Sequence, residues 1–573
     1  MRVADVIVDF IAKSCSQKIF LLTGNGAMYI NDAMQVHPDI EYVCVRNEAV
    51  APLAASAYSQ LTGRVGTVCV TAGPGAANAI PGVIEAWVDR VSILVISGQV
   101  PVPEQNNYGR NFQNSQRSFG IAGIPIVDYV TQFTKLSLTL SSPKELQNTL
   151  LKILDAIHTG RPGPIWLDIP LDVQSMQVED IDLDQILEDF KVNKEINKKM
   201  TFNFIENRKI KKALKNSKKI LFVLGSGAKD SVQKHDLINW LEVHKSVYAL
   251  TRPSAHLSSL KNIGNLGVLG VRGRPWSKNI LESVDLIVGL GTRLPSSLVG
   301  SNYSYLSKDT KILLINDEPA EFVRHHGKLL NCKPSTISEF LLNEDFAEVI
   351  KKNGSMSTWL NECEIIKDKM TIQRDSKAGE PLDIYWFCEK IEEKLNADNV
   401  LTSDAGSNYY ACGQSITFSN GFREVTSGTF AAMGVSIPLA IGSSIAIENK
   451  HRVVCITGDG SIELNVQELQ TISNYNLNIA IFVINNGGYA SMRTWQDTFF
   501  DSRYIGSTDE TGTKPMNFSK IASTFELEYL IIKDELDFET KIDYILNARN
   551  PILVEVMCDP AQVLELPLES DVV

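Results

Sequence analysis

Two short segments late in the chain hold the residues best suited to chemistry. In "RVVCITGDGSIELNVQEL" the apolar run Val453 to Ile456 stops at Gly458-Asp459-Gly460, and an amphipathic stretch follows. A carboxylate at the mouth of a buried strand is costly unless a cation neutralises it. Further on, "NIAIFVI" ends in Asn485-Asn486-Gly487-Gly488. One simple βαβ crossover would put these two strand ends side by side. Asp459, the Asn486 amide oxygen and the Gly488 carbonyl are then hard oxygen donors, a set that suits Mg2+ held jointly with a diphosphate. Ser461-Ile462-Glu463-Leu464 is expected to open a helix whose free amides favour such an anion.

A second carboxylate, Glu48, lies in "EYVCVRNEAVAPLAASAY", after an apolar run and ahead of an alanine-rich helical pattern. On the residues alone it is equally an acid placed at a helix start, where the dipole favours negative charge.

The elements that must position these groups alternate along the chain. From residue 1 to about 180, the apolar runs "KIFLL", "YVCV", "VGTVCVT", "VSILVIS" and "PIWLDIP" alternate with helical patterns and are bounded by Gly, Asn or Ser. That is the pattern of a parallel sheet with helices on both faces. Residues 181–217 are acidic and then basic, which reads as a charged linker or solvated surface. A second α/β unit begins at "KILFVLGSGA", includes "VDLIVGLGT" and "KILLIND", and fades near residue 345. A third begins around Leu382 with "NVLTSDAGS", "HRVVCITGDG", "LNIAIFVINNGG" and "PILVEVMCD". We expect three doubly wound parallel-sheet α/β domains, at 1–180, 200–345 and 360–573, the first and third alike in rhythm. Ligands of such sheets bind where strands end and helices begin.

Composition narrows the partners. The 573 residues carry a net charge of -12, which argues against a general nucleic-acid binder. Nine cysteines are scattered singly with no CxxC pair, the usage of a reducing cytosol. Met1-Arg2 leads directly into an amphipathic pattern rather than a signal peptide. No apolar run reaches the roughly 18 residues of a membrane span. The expectation is a cytoplasmic protein that meets small molecules, neither membrane nor nucleic acid.

The GDG and NN strand ends, in that order and at that separation, resemble the cofactor motif of the thiamine diphosphate (ThDP) enzymes. The resemblance implies Mg2+ on Asp459, Asn486 and the Gly488 carbonyl, with Gly460, Ser461 and Tyr489 beside the diphosphate. It also implies a role for Glu48: its carboxyl group hydrogen-bonds the aminopyrimidine ring and favours the imino tautomer, which removes the thiazolium C2 proton. Such a carboxyl needs a raised pKa in an apolar pocket, which Val43, Val45, Val50 and Leu53 could supply. Within the family the chain is closest to the acetolactate-synthase branch. "TAGPGAANAIPGVIEAWVDRVSILVISGQV" and "GRPGPIWLDIP" resemble its first domain, where Gly24, Gly73 and Asn78 would line the cofactor site. "GTFAAMGVSIPLAIG" resembles the segment whose bulky residue, here Met433, wedges the cofactor into its bent shape. Ser407 and Asn408, in "SDAGSN", would reach the diphosphate, and Trp495 in "NNGGYASMRTWQDTFF" falls where the family shapes its acceptor pocket. In this family Glu48 and the GDG site come from different subunits, so a homodimer or homotetramer is implied.

The departures bear on substrate. Acetolactate synthases carry a lysine where this chain has Leu171, and a glutamine where it has Ala122-Gly123. Losing the cation weakens the case for a second pyruvate as acceptor. Simple pyruvate decarboxylases share the Asn47-Glu48 pair but have a first-domain His-His pair and a Glu after NN. Here Met492 stands at that Glu position and residues 104–118 hold no His, so proton delivery for aldehyde release lacks its donors. "GNGAMYIND" and "IPLDVQ" resemble ThDP proteins of sugar and surface-polysaccharide biosynthesis, which favours a bulkier acceptor with Asn25, Tyr29, Asn31 and Gln113 as pocket candidates. In the middle domain "GSG" (Gly225–Gly227), "GVRG" (Gly270–Gly273) and "GTR" (Gly291–Arg293) sit where acetolactate synthases wrap a structural FAD. "GARFDDR" has become "GTRLPSS", however, and a later "GDA" has become Asn331-Cys332-Lys333, so FAD stays open. The reading is a ThDP- and Mg2+-dependent enzyme that decarboxylates a 2-oxo acid, pyruvate, and passes the acyl-anion unit to a carbonyl acceptor such as a keto-sugar. Its alternatives are an acetolactate synthase, a simple decarboxylase and a non-catalytic protein of the same fold.

Overall fold

A computed structural model describes residues 1–105, 118–178, 181–194, 202, 204–229, 236–325, 328–330, 336–372, 374 and 379–565. Three parallel sheets follow one another along the chain. The first contains β1 (Lys18–Leu21), β2 (Glu41–Cys44), β3 (Gly66–Val70), β4 (Ile93–Gln99), β5 (Leu136–Thr139) and β6 (Ile165–Pro170), in the order β2-β1-β3-β4-β6-β5. The middle sheet contains β7 (Ile220–Leu224), β8 (Val247–Leu250), β9 (Asn265–Val268), β10 (Leu286–Leu290) and β11 (Lys311–Ile315), in the order β11-β10-β7-β8-β9. The third contains β12 (Val400–Ser403), β13 (Arg423–Thr426), β14 (Val453–Gly458), β15 (Ile479–Asn485), β16 (Glu528–Ile532) and β17 (Ile552–Met557), in the order β13-β12-β14-β15-β17-β16. Numbered within each sheet, the first and third have the same strand order. The central strands are fully buried, as a parallel sheet covered on both faces requires.

First and third domains pack through the helices Val50–Thr62 and Ser436–Ala446. The contact is close: a Cβ on Gly442 would lie 2.0 Å from the Ala54 carbonyl oxygen. The charged stretch 181–217, expected as linker or solvated surface, instead contributes two helices. Leu183–Lys194 sets Leu183 and Ile186 into the first-domain core, and Phe204–Asn216 sets Ile210 and Leu214 into the middle core. Its apolar residues recur at helical spacing within the charged run, which the net composition hides. The helix Ser355–Met370 packs on the middle sheet, where the Trp359 indole donates to the Ile220 carbonyl at 3.1 Å, so a boundary at 360 falls inside a middle-domain element. The eight described cysteines are all unpaired. Among the described residues no helix is long and apolar enough to cross a membrane.

Candidate active site

The third sheet reverses its strand order between β12 and β14, the switch point where open α/β sheets bind ligands. A pocket of about 170 Å3 opens there. It is lined from the exit of β12 (Ser407, Asn408), from Met433, from the exit of β14 (Asp459, Gly460, Ser461) and from the exit of β15 (Asn486, Gly488, Tyr489, Met492). β14 and β15 pair in parallel with Gly458 opposite Ile484, so the GDG and NN turns are neighbours.

Asp459 is 2% exposed. Its carboxylate accepts the Gly460 amide at 2.7 Å on one oxygen, and the Gly488 and Asn486 amides at 2.8 and 3.1 Å on the other. Burial raises its pKa to about 6 against the opposing pull of these amides. No Lys or Arg forms an ion pair with it among the described residues, so the charge expected to need a cation still needs one. The Asn486 side chain makes no hydrogen bond among the described residues, which leaves its amide oxygen free beside Asp459. The donor set of one carboxylate, one amide oxygen and backbone carbonyls fits a hard divalent cation. Arg493 braces the turn from behind, donating to the Asn486 carbonyl at 2.8 Å and the Gly487 carbonyl at 3.0 Å. Gly460 must lack a side chain, because its Cβ would lie 1.9 Å from the Tyr489 ring.

Sequence reasoning gave Asp404 no role, yet it organises the pocket. It is fully buried and accepts Ser436 Oγ and Ser461 Oγ at 2.8 Å, Thr457 Oγ1 at 3.2 Å and Asn408 Nδ2 at 3.3 Å. Burial raises its pKa to about 6. Ser461 Oγ in turn accepts the Gly434 amide at 2.8 Å, so Asp404 also fixes the residue after Met433. The signal was present in "SDAGS", an aspartate ending an apolar run as in "TGDGS". The expected helix after Ser461 is a 3-10 segment, Ile462–Glu468, with non-helical backbone at Asn465. The Ser461 amide turns back to the Gly458 carbonyl at 3.0 Å and is not free.

The first-domain residues gather at another place. Glu48 is half-buried, and its Oε2 accepts Asn78 Nδ2 at 3.2 Å. Val43, Val45, Val50 and Leu53 are buried in the core shared by the first and third domains. Gly73 has a positive φ of 59°, and its Cβ would lie 1.9 Å from the Ala122 carbonyl oxygen. Gly24 precedes the 3-10 turn Asn25–Ala27, in which Asn25 is exposed. Tyr29 packs on the first-domain core, and Asn31 donates to Thr23 Oγ1 at 2.9 Å. Leu171 is half-buried at the exit of β6, three residues before Gln174, whose Nε2 donates to the Gly26 carbonyl at 2.7 Å. Neither Glu48 nor any of these residues lines the third-domain pocket of its own chain. Met492 does line it, but Trp495 does not: the Trp495 ring stacks on Phe499, four positions along the same helix face, at 5.7 Å. Gln113 and Asn331-Cys332-Lys333 lie outside the described residues.

In the middle domain the three glycine loops border a trough of two cavities, of about 330 and 700 Å3. Arg90 lines both, and its guanidinium meets Asp317, which lines the larger, at 2.9 Å. A Cβ on Gly227 would lie 3.0 Å from Arg90 Nη1, and Leu294, in the altered "GTRLPSS" run, is fully buried.

Three family models match the chain in order. They are the N-terminal TPP binding domain of thiamine pyrophosphate enzymes over residues 1–123, their central domain over 208–332 and their C-terminal TPP binding domain over 404–556. The acetolactate synthase large subunit of Cyanidium caldarium is 27% identical over 567 residues, covering 96% of this chain and 92% of the relative. That of Haemophilus influenzae is 28% identical over 577 residues, covering 98% and 95%. The acetolactate synthase isozyme 2 large subunit of Escherichia coli is 26% identical over 561 residues, covering 98% and 96%. With one matched domain on each of the three sheets and similarity running the length of the relatives, the chain belongs to the thiamine pyrophosphate (diphosphate) enzymes, in their acetolactate-synthase-like branch.

Proposed function

We propose that this enzyme uses ThDP and Mg2+ to decarboxylate pyruvate and to transfer the two-carbon unit to a carbonyl acceptor bulkier than pyruvate, a keto-sugar. When bound, ThDP would supply a carbon nucleophile and an electron sink for decarboxylation of the 2-oxo acid. The residues of the chain do the rest. Asp459, Asn486 and the Gly488 carbonyl hold the metal, while Ser407, Asn408, Gly460 and Ser461 border the diphosphate. Met433 shapes the cofactor. Glu48, oriented by Asn78, keeps a proton at the aminopyrimidine. Since Glu48 does not line the pocket of its own chain, a second copy completes each site, in a homodimer or homotetramer. The unpaired cysteines suit the cytoplasm.

One observation carries the acceptor assignment: Leu171, Ala122 and Met492, where the sequence departs from its relatives, are all uncharged. A second pyruvate would bring a carboxylate that none of them can pair. Full-length similarity to acetolactate synthases favours the second reading, in which pyruvate itself is the acceptor. Mass spectrometry of the products from pyruvate, alone and with a panel of aldehydes and keto-sugars, separates the two. Efficient 2-acetolactate formation from pyruvate alone, unchanged by added acceptors, would overturn the first reading.

We read the middle trough as flavin-free. The run "GTRLPSS" lacks the acidic residues and second arginine of "GARFDDR", and Arg90 at the trough is engaged by Asp317 in a bridge between the first and middle domains.

A further inference from the structure

We infer that Glu468 and Tyr475 are positioning residues for Glu48, because the two ends of one third-domain helix grip the loop that carries it. β2 ends at Cys44, and the chain turns through Val45–Asn47 before reaching Glu48. The Cys44 amide donates to the Tyr475 hydroxyl at 2.9 Å, across 431 positions of sequence. The Arg46 amide donates to Glu468 Oε1 at 2.9 Å, and the Asn47 amide faces the same carboxylate. Glu468 and Tyr475 flank the helix Leu469–Asn474, one at each end.

Among the described residues β1 contributes one backbone bond to this loop, from the Val45 amide to the Leu21 carbonyl at 3.0 Å. β2 is an edge strand, paired only with β1, so no further strand supports the loop at its exit. Glu468 is fully buried, and its second oxygen accepts Thr471 Oγ1 at 2.7 Å. Every partner is a backbone amide or a hydroxyl, and among the described residues no Lys or Arg pairs with it. A buried carboxylate satisfied by amides of another domain fixes those amides in space, and removing it leaves them unpaired. The segment that supplies Asp459 and Ser461 at its start ends in Glu468. One stretch of chain therefore touches the diphosphate pocket and the base of the Glu48 loop. Displacements near 1 Å at a reacting group cost about 100-fold in rate, so an anchor three amides wide is enough to matter.

The inference rests on Glu48 being the catalytic carboxylate, and the experiment separates the two claims. The full-length enzyme with ThDP and Mg2+ is compared with E468A, E468Q, Y475F and E48Q. The measurements are deuterium exchange at the thiazolium C2 of bound ThDP, ThDP affinity, kcat and melting temperature. E48Q should slow exchange by about 100-fold or more. E468A should slow exchange and kcat by about 10- to 100-fold while ThDP affinity changes by no more than about twofold. E468Q still offers an oxygen to Arg46 and an amide to Thr471, and should recover to within about threefold of the parent. Exchange at the parental rate in E468A overturns the inference, as does slowed exchange that E468Q fails to rescue. Should E468A not fold, Y475F decides: it removes one hydroxyl from a partly exposed ring, and unchanged exchange there overturns the grip. Parental exchange in E48Q would instead remove the Glu48 reading, and this inference with it.

Discussion

Asn78 Nδ2 and Glu48 Oε2 meet at 3.2 Å across 30 positions of sequence, joining the helix Pro74–Val88 to the turn after β2. The helix thereby aims a half-buried carboxylate that has no cationic partner among the described residues. A group aimed in this way is suited to proton transfer. Replacing Glu48 with Gln should lower kcat by about 100-fold or more, with circular dichroism and oligomeric state unchanged. Asn78→Ala should give a smaller loss, about tenfold, because the carboxyl remains but is less well aimed. Steady-state turnover of pyruvate checks both.

Asp459 is a buried carboxylate held by amides, with no Lys or Arg ion pair among the described residues. Asp459→Ala should weaken ThDP binding in the presence of Mg2+ by about 2 kcal/mol or more, at least ~30-fold. Titration calorimetry with and without EDTA measures it. Chelation should reproduce most of the loss in the parent enzyme and little further loss in the variant.

Leu171 stands at the exit of β6 close to the turn Asn25–Ala27. Leu171→Lys places a cation at this rim, and should raise the fraction of 2-acetolactate among products from pyruvate alone by several-fold, about 1 kcal/mol. Product ratios by mass spectrometry provide the readout. A ratio unmoved by the substitution would exclude Leu171 from acceptor choice.

The middle trough, bordered by the Arg90–Asp317 pair, carries "GTRLPSS" in place of "GARFDDR" and so lacks two acidic residues and an arginine. The purified enzyme should therefore be colourless and release no flavin on denaturation. Arg90→Ala should lower the melting temperature slightly through loss of the bridge between first and middle domains, by about 0.5 kcal/mol for a pair whose Asp317 end is exposed. A stoichiometric flavin spectrum would exclude the flavin-free reading.

Asp168 is 2% exposed in the first sheet, with Ser97 Oγ at 2.5 Å and Gln99 Nε2 at 3.0 Å from its oxygens. Burial lifts its pKa to about 7. The folded state then holds a proton that the unfolded chain releases near pH 4, so this group's contribution to stability falls as pH rises from about 4 to about 7 and is level above that. Asp168→Asn, which mimics the protonated form, should flatten this part of the unfolding free-energy profile against pH by up to a few kcal/mol, as read by denaturant titration.

How much of this was legible in the sequence followed from burial. The apolar runs read as strands include β1, β3, β4, β7, β10, β12, β14, β15 and β17, most of them central and covered on both faces. The unread strands were β5, β8, β9, β13 and β16. All but β8 are sheet edges, where a strand such as "REVT", buried from Glu424 to Thr426 but through polar residues, carries no continuous apolar run. The pocket at the third sheet was readable because Asp459, Asn486 and Met433, which line it, follow glycine-marked strand exits. Asp404, Arg493 and Glu468 were not singled out, since a buried polar group is recognised by its partners and those come from distant segments. Trp495 shows the converse: a motif position fixed its place on a helix, yet its neighbour Phe499 decided where the ring points.

Gly442 brings the helices Val50–Thr62 and Ser436–Ala446 so close that a single methyl would meet the Ala54 carbonyl oxygen at 2.0 Å. The same contact keeps Glu468 within reach of the Glu48 loop. For anyone diversifying this enzyme towards new acceptors, position 442 is therefore closed to variation although it lies away from the pocket, while Leu171 and Met492, where the chain departs from its relatives, are where a library can be spent.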